Sequence, residues 1–247
     1  MTTSRSAPAA LPLARVEVRR HLREPDAWFW DLPAVARLRT EGLDLAPVTV
    51  LVGENGSGKS TLVEAVARAW ERSLTAAVKH WAPLPSPDES ELEGELELRG
   101  ERPRPQGGAF LRAEAMHAHF SSLDEGPAGV RTFGGPLHAR SHGEGFLAFL
   151  EERTTERGLW ILDEPESALS FRSCLRLLAL LDGVVAAGSQ VLLATHSPLL
   201  AALPGALVYE LDDDGFTPRE WTDLDLVRDW RAFLEDPERL LRHLLDD

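Results

Sequence analysis

Short apolar runs and amphipathic stretches take turns along this chain. "PVTVLVG" (47–53) is a β-branched run of strand length, and "LWILD" (159–163), "QVLLATH" (190–196) and "ALVYEL" (206–211) share its character; all four read as strands. "KSTLVEAVARAWERSL" (59–74) sets Leu62, Val63, Val66, Ala69 and Trp70 at helical spacing. Helices are also expected in "GFLAFLEERTTER" (145–157), "SALSFRSCLRLLALLDGVVAAG" (167–188), "DLDLVRDWRAFL" (223–234) and "DPERLLRHLL" (236–245). The last two are expected to pack on the domain through Trp230, Phe233, Leu234, Leu240 and Leu244. "ARVEVRR" (14–20) and "ELEGELELR" (91–99) alternate in period two, and the latter predicts an exposed antiparallel strand. A further strand falls in "AFLRAE" (109–114). Strands alternating with helices predict an α/β fold with a mainly parallel sheet covered on both faces.

Between these elements lie a frayed start (1–12), a proline-rich loop "WAPLPSPDES" (81–90), the break "RPRPQGG" (102–108) and the glycine-rich "GPAGVRTFGGPLHARSHGEG" (126–145). "LDDDG" (211–215) reads as a solvated hairpin turn. "DAWFWDLP" holds Trp28, Phe29 and Trp30, which read as core before they read as an adenine platform. We expect one domain over 1–247, with a helical segment at about 115–157 and terminal helices from about 218.

Composition narrows the class. Hydrophobic residues are 43% and charged residues 27%, as in ordinary globular chains. No apolar run approaches the roughly 18 residues of a membrane helix, and no signal-peptide core precedes a cleavage site. The single cysteine, Cys174, excludes an intramolecular disulfide and fits a reducing cytoplasm. A net charge of −14 argues against a broad basic surface for nucleic acid, though a local arginine stripe is compatible with it. Lysine occurs only at 59 and 79, and the first of these falls inside the strongest motif.

That motif is Gly53-Glu54-Asn55-Gly56-Ser57-Gly58-Lys59-Ser60, followed by Thr61, which matches G-x-x-x-x-G-K-[ST] at every fixed position. A strand precedes it and a helix begins at about Gly58, the context in which successive N–H groups and a helix N-terminus cradle phosphate. Lys59 is expected to bridge the β- and γ-phosphates of ATP, and Ser60 to ligate Mg²⁺.

Asp163 ends a buried strand, where a carboxylate can hold Mg²⁺ directly or through water. Glu164 follows and is placed to polarise a water for attack on the γ-phosphate. His196 ends another strand; alone it would read as a structural cap, but next to the other motifs it reads as a γ-phosphate neighbour. Ser141 and Glu144 form a capping box at a helix start, with Ser141 and the Gly143 backbone as a second phosphate cradle. His117 and His119 lack a third ligand nearby and read as bystanders.

This order of stations, from phosphate loop through helix start and acidic strand end to "SALS" and the histidine strand, resembles the ATP-binding cassette class over about residues 47–200. "VGENGSGKST", "FLRAE" and "SHGEGF" are similar to small soluble predicted ATPases of that class, related to SMC and RecF-like ATPases. The resemblance implies a P-loop domain with a parallel sheet, an antiparallel β-subdomain and a short helical subdomain. It implies Mg·ATP hydrolysis in a head-to-tail dimer that sandwiches two nucleotides. Ser141, His142, Gly143 and Glu144 would be the signature that meets the partner's γ-phosphate. Ser167, Ala168, Leu169 and Ser170 would be the loop at the dimer interface, Glu164 the catalytic glutamate and His196 the switch histidine.

Two departures stand out. His142 replaces the signature's first glycine, and no glutamine stands where the class carries its metal sensor. Gln106 lies in a proline-glycine stretch, which leaves Glu114 as a metal-facing substitute, with Arg112 beside it. Only 26 residues separate Glu114 from Ser141, too few for a coiled coil. Two alternatives stay open: an ATP-gated clamp for DNA or a protein, and the energy subunit of a membrane transporter, itself without membrane insertion.

Overall fold

The computed structural model describes residues 11–23, 25–74, 91–102, 105, 107–112, 142–153 and 157–245. Six strands form the central sheet. In spatial order they are β5 (Gly107–Arg112), β6 (Gly158–Asp163), β7 (Gln190–Ala194), β3 (Val48–Gly53), β8 (Leu207–Asp212) and β9 (Gly215–Arg219). The first five run parallel, and β9 returns antiparallel to β8 across the acidic turn. The hairpin turn was legible in "LDDDG"; its second strand, short and half exposed, was not.

The continuous apolar runs are continuous because both sides of each strand are covered. Val50 and Val52, Trp160 and Leu162, and Val191 and Leu193 face one core with helices α4 (His142–Arg153) and α5 (Phe171–Ala186). Their neighbours Leu51, Ile161, Leu192 and Ala194 face the other, with α1 (Pro33–Glu41) and α2 (Lys59–Ser73). Successive strand residues point to opposite sides, so a strand between two helical layers has no polar face to show.

A separate antiparallel sheet, in the order β2 (Leu43–Asp44), β1 (Arg15–Val18), β4 (Leu96–Arg99), lies beyond α1 and α2. It corrects one expectation. Only the second half of "ELEGELELR" is a strand; Leu92–Glu95 is a helical turn, α3, with Leu92, Glu93 and Glu95 buried. Period-two alternation cannot register that Glu93 is paired with Arg72 of α2 at 2.6 Å and so tolerates burial.

"SALS" is corrected too. Pro165–Ala168 is a 3₁₀ turn, and α5 starts only at Phe171, because the Ser170 hydroxyl accepts the Ser173 N–H at 3.2 Å as an N-cap. The terminal helices α6 (Asp225–Glu235) and α7 (Pro237–Leu245) depart from expectation in a third way. Leu224 and Val227 anchor α6, yet Trp230, Phe233, Leu234 and Leu240 are exposed. The side chain of Leu244 is outside the described set. Among the three aromatics near the N-terminus, Phe29 and Trp30 are buried and Trp28 is 59% exposed. No helix among the described residues is long and apolar enough to cross a membrane.

Candidate nucleotide site

Strand register sets up the site. Arg112 pairs with Asp163, Asp163 with Ala194, and Ala194 with Leu51, so β5, β6, β7 and β3 end nearly flush. Residues just past those ends therefore share one edge: Glu164 after β6, Thr195 and His196 after β7, and the 53–60 loop after β3. The carboxyl edge of a parallel sheet is where such folds bind ligands.

Between β3 and α2 the chain turns through Gly56 (φ 83°) and Gly58 (φ 90°), conformations a side chain would strain. Gly58 then caps α2, so the helix opens with its N–H groups toward the loop. The Lys59 ammonium is folded back into the loop and donates to the carbonyls of Gly53 and Glu54, each at 2.8 Å. Burial pushes its pKa down, opposed by the nearby Glu164, Asp163, Glu166 and Glu54. A cation ringed this way suits an anionic ligand that can replace the two carbonyls.

Ser60 Oγ lies 3.1 Å from Asp163 Oδ1, across 103 positions of sequence. Asp163 is 2% exposed. Burial pushes its carboxyl up, while Arg112 beside it pulls the other way. Arg112 Nε donates to Asp163 Oδ2 at 2.8 Å, and Arg112 Nη2 donates to Glu64 Oε2 of α2 at 2.8 Å. A hydroxyl beside a desolvated carboxylate is the oxygen pair that Mg²⁺ accepts, with waters and phosphate completing its shell. The donor set fits that ion.

Glu164 takes φ 47° and is the one non-glycine residue with positive φ among those described. Its N–H donates to Ala194 O at 2.9 Å, and Pro165 opens the next turn. That geometry costs about 1 kcal/mol and swings the carboxylate off the strand line, toward His196. Glu164 Oε1 and His196 Nε2 are 3.2 Å apart. Glu166 holds the histidine's backbone, since its Oε1 accepts Thr195 Oγ1 at 2.7 Å and the His196 N–H at 2.6 Å. Glu54, Asn55, Glu164, Glu166, Ser167 and His196 line an open cleft of about 670 Å³ above the loop.

At the other side, the first turn of α4 meets the 165–168 turn. A Cβ on Gly143 would sit 2.9 Å from the Ala168 carbonyl and 3.1 Å from Leu169 Cδ2. Gly143 thus lies against the segment read as the dimer-interface loop. Ser141, Glu114, Gln106, His117 and His119 lie outside the described residues, as does the His142 side chain. Sequence reading missed Glu166 altogether. It also left Arg112 as a second choice, because nothing in "FLRAE" announces that the arginine pairs in register with Asp163.

Together these parts define a P-loop nucleotide site at the carboxyl edge of a parallel sheet. No family model matches the chain. Among curated proteins it is 30% identical over 210 residues to the cytochrome c biogenesis ATP-binding export protein CcmA of Cupriavidus necator, covering 71% of this chain and 82% of that protein. CcmA of Rhizobium etli is 31% identical over 170 residues, covering 61% of this chain and 75% of that one. The ribose import ATP-binding protein RbsA of Roseobacter denitrificans is 29% identical over 193 residues, and this chain spans only 38% of its length. Among solved structures, the SMC head domain from Thermotoga maritima aligns with a TM-score of 0.45 at 17% identity, covering 84% of this chain and 99% of that one. The chain belongs to the ATP-binding cassette family of ATPases.

Proposed function

We propose that the chain hydrolyses Mg·ATP to ADP and phosphate in a head-to-tail homodimer. The observation that carries this reading is the convergence of Lys59, Ser60, Asp163, Glu164 and His196 on one sheet edge. Lys59 would leave the Gly53 and Glu54 carbonyls for the β- and γ-phosphates, within the N–H groups of residues 53–61. Ser60 and Asp163 would hold Mg²⁺, which lowers the charge of a triphosphate entering a site already ringed by acids. Glu164 would take the proton of the attacking water, with His196 orienting that carboxylate and reaching the γ-phosphate. The second cradle, Ser141 to Glu144, would act on the partner's nucleotide. Contact between Gly143 and Ala168 supports this, because it docks the signature helix on the interface loop and so couples the two.

The test uses Glu164→Gln. Removing the base while keeping the shape should lower turnover by about 10²- to 10⁴-fold. Light scattering should show the variant passing from monomer to dimer only with Mg·ATP. Unchanged turnover would refute the role of Glu164; a nucleotide-bound monomer would refute the homodimer.

A second reading has its own support. The curated relatives are named export and import ATP-binding proteins, which fits an energy subunit working on a separate membrane partner. Nucleotide turnover that rises only in a co-purified membrane complex would favour it.

A further inference from the structure

Asp163 has two carboxylate oxygens, and both are engaged within the protein. Oδ1 faces the Ser60 hydroxyl, and Oδ2 accepts from the Arg112 guanidinium at 2.8 Å. Arg112 is shared: its Nη2 reaches Glu64 on α2, whose other oxygen accepts Arg68 Nε at 3.1 Å. The order Asp163, Arg112, Glu64, Arg68 alternates in charge and runs from the sheet edge into the helix that begins at the phosphate loop. Arg112 owes its place to the register of β5 and β6, which sets it directly beside Asp163. Its side chain remains 29% exposed, against 3% for Asp163, so it is the member of the pair that solvent reaches.

A strut between β6 and α2 could be built from neutral groups. A full positive charge on the carboxylate expected to face a divalent cation does something more. Resting on the metal site proposed above, we propose that Arg112 is a resident counter-ion for Asp163. It competes with Mg²⁺ for that carboxylate and substitutes in part for the metal when nucleotide enters. Two cations sharing one carboxylate repel each other, so the guanidinium weakens the hold on metal. The same charge attracts the triphosphate when no metal is present. Glu64 sets the balance by drawing the guanidinium toward α2.

The quantity to measure is the ratio of affinities for a fluorescent, non-hydrolysable ATP analogue with excess Mg²⁺ and with EDTA. Full-length protein serves, and melting curves check the fold. Arg112→Gln should raise the Mg²⁺-over-EDTA ratio about 10-fold or more, because metal-free binding falls while metal-dependent binding gains. Arg112→Lys keeps the charge and loses the fork that spans both carboxylates, so its ratio should fall between those of the unmodified chain and Arg112→Gln. Glu64→Gln should move the ratio the other way, since Arg112 then has Asp163 without a competing carboxylate from α2. That second variant decides the matter if Arg112→Gln fails to fold. A merely structural strut would shift both affinities together, so a ratio unchanged in Arg112→Gln and Glu64→Gln overturns the proposal. If the unmodified chain binds the analogue in neither condition, the nucleotide site itself is refuted, and this inference with it.

Discussion

At the scale of the residue, the site depends on side chains that hold other side chains. Glu166 is the clearest case. It lines the cleft, and its Oε1 takes both the Thr195 hydroxyl and the His196 N–H. Glu166→Ala leaves that N–H without its acceptor and frees the loop to shift His196 away from Glu164. Steady-state kinetics should show turnover reduced by about 10- to 100-fold, as a displacement on the order of 1 Å costs in a preorganised site, with nucleotide affinity little changed. An unaltered turnover would mean that β7 alone positions the histidine. "DEPES" offers three acids in four residues, and the sequence has no means of ranking the third. Its role follows from the 3₁₀ turn that carries Glu166 back over β7.

At the scale of the element, boundaries decide which residues are available for function. Ser170 shows this, since the resemblance assigns it to the dimer-interface loop and the structure makes it the N-cap of α5. Its hydroxyl satisfies a helix N–H that would otherwise have no partner in the helix. Ser170→Ala should lower stability by about 1 kcal/mol in denaturant unfolding and leave nucleotide binding intact. Loss of nucleotide-dependent dimerisation with full stability would instead return Ser170 to the interface. The helical turn at Leu92–Glu95 is a related case. Its sequence alternates like a strand, but α2 packs on it and Arg72 takes Glu93, and local pattern cannot see either partner.

At the scale of the whole molecule, one buried amide stitches the two sheets together. Gln190 opens β7 at 1% exposure; its Oε1 accepts the Leu13 N–H at 2.8 Å, and its Nε2 donates to the carbonyls of Leu13 and Ala46 at 2.6 and 2.9 Å. The two bonds to Leu13 join the segment leading into β1 to the central sheet, and the third ties in the link between β2 and β3. Gln190→Leu keeps the volume and strands buried backbone groups, so unfolding free energy should fall by about 2–4 kcal/mol. Stability within about 0.5 kcal/mol of the unmodified chain would show that water or a shifted backbone replaces the amide.

Much of the molecule was determined by sequence alone. Runs such as "PVTVLVG" and "LWILD" are apolar at every position because both of their faces are covered, and that local fact already predicts a buried parallel sheet. The phosphate loop, Asp163, Glu164 and His196 were legible for a similar reason: their chemistry needs particular residue types at short, fixed spacing from a strand end. Tertiary structure alone decided which distant residues meet them. Strand register brings Arg112 to Asp163 across 51 positions of sequence, and helix packing brings Glu64 to Arg112 across 48. Glu166 reaches His196 across 30, and Gln190 reaches Leu13 across 177. Polar partners of this kind are set by geometry in space, which a linear pattern does not carry.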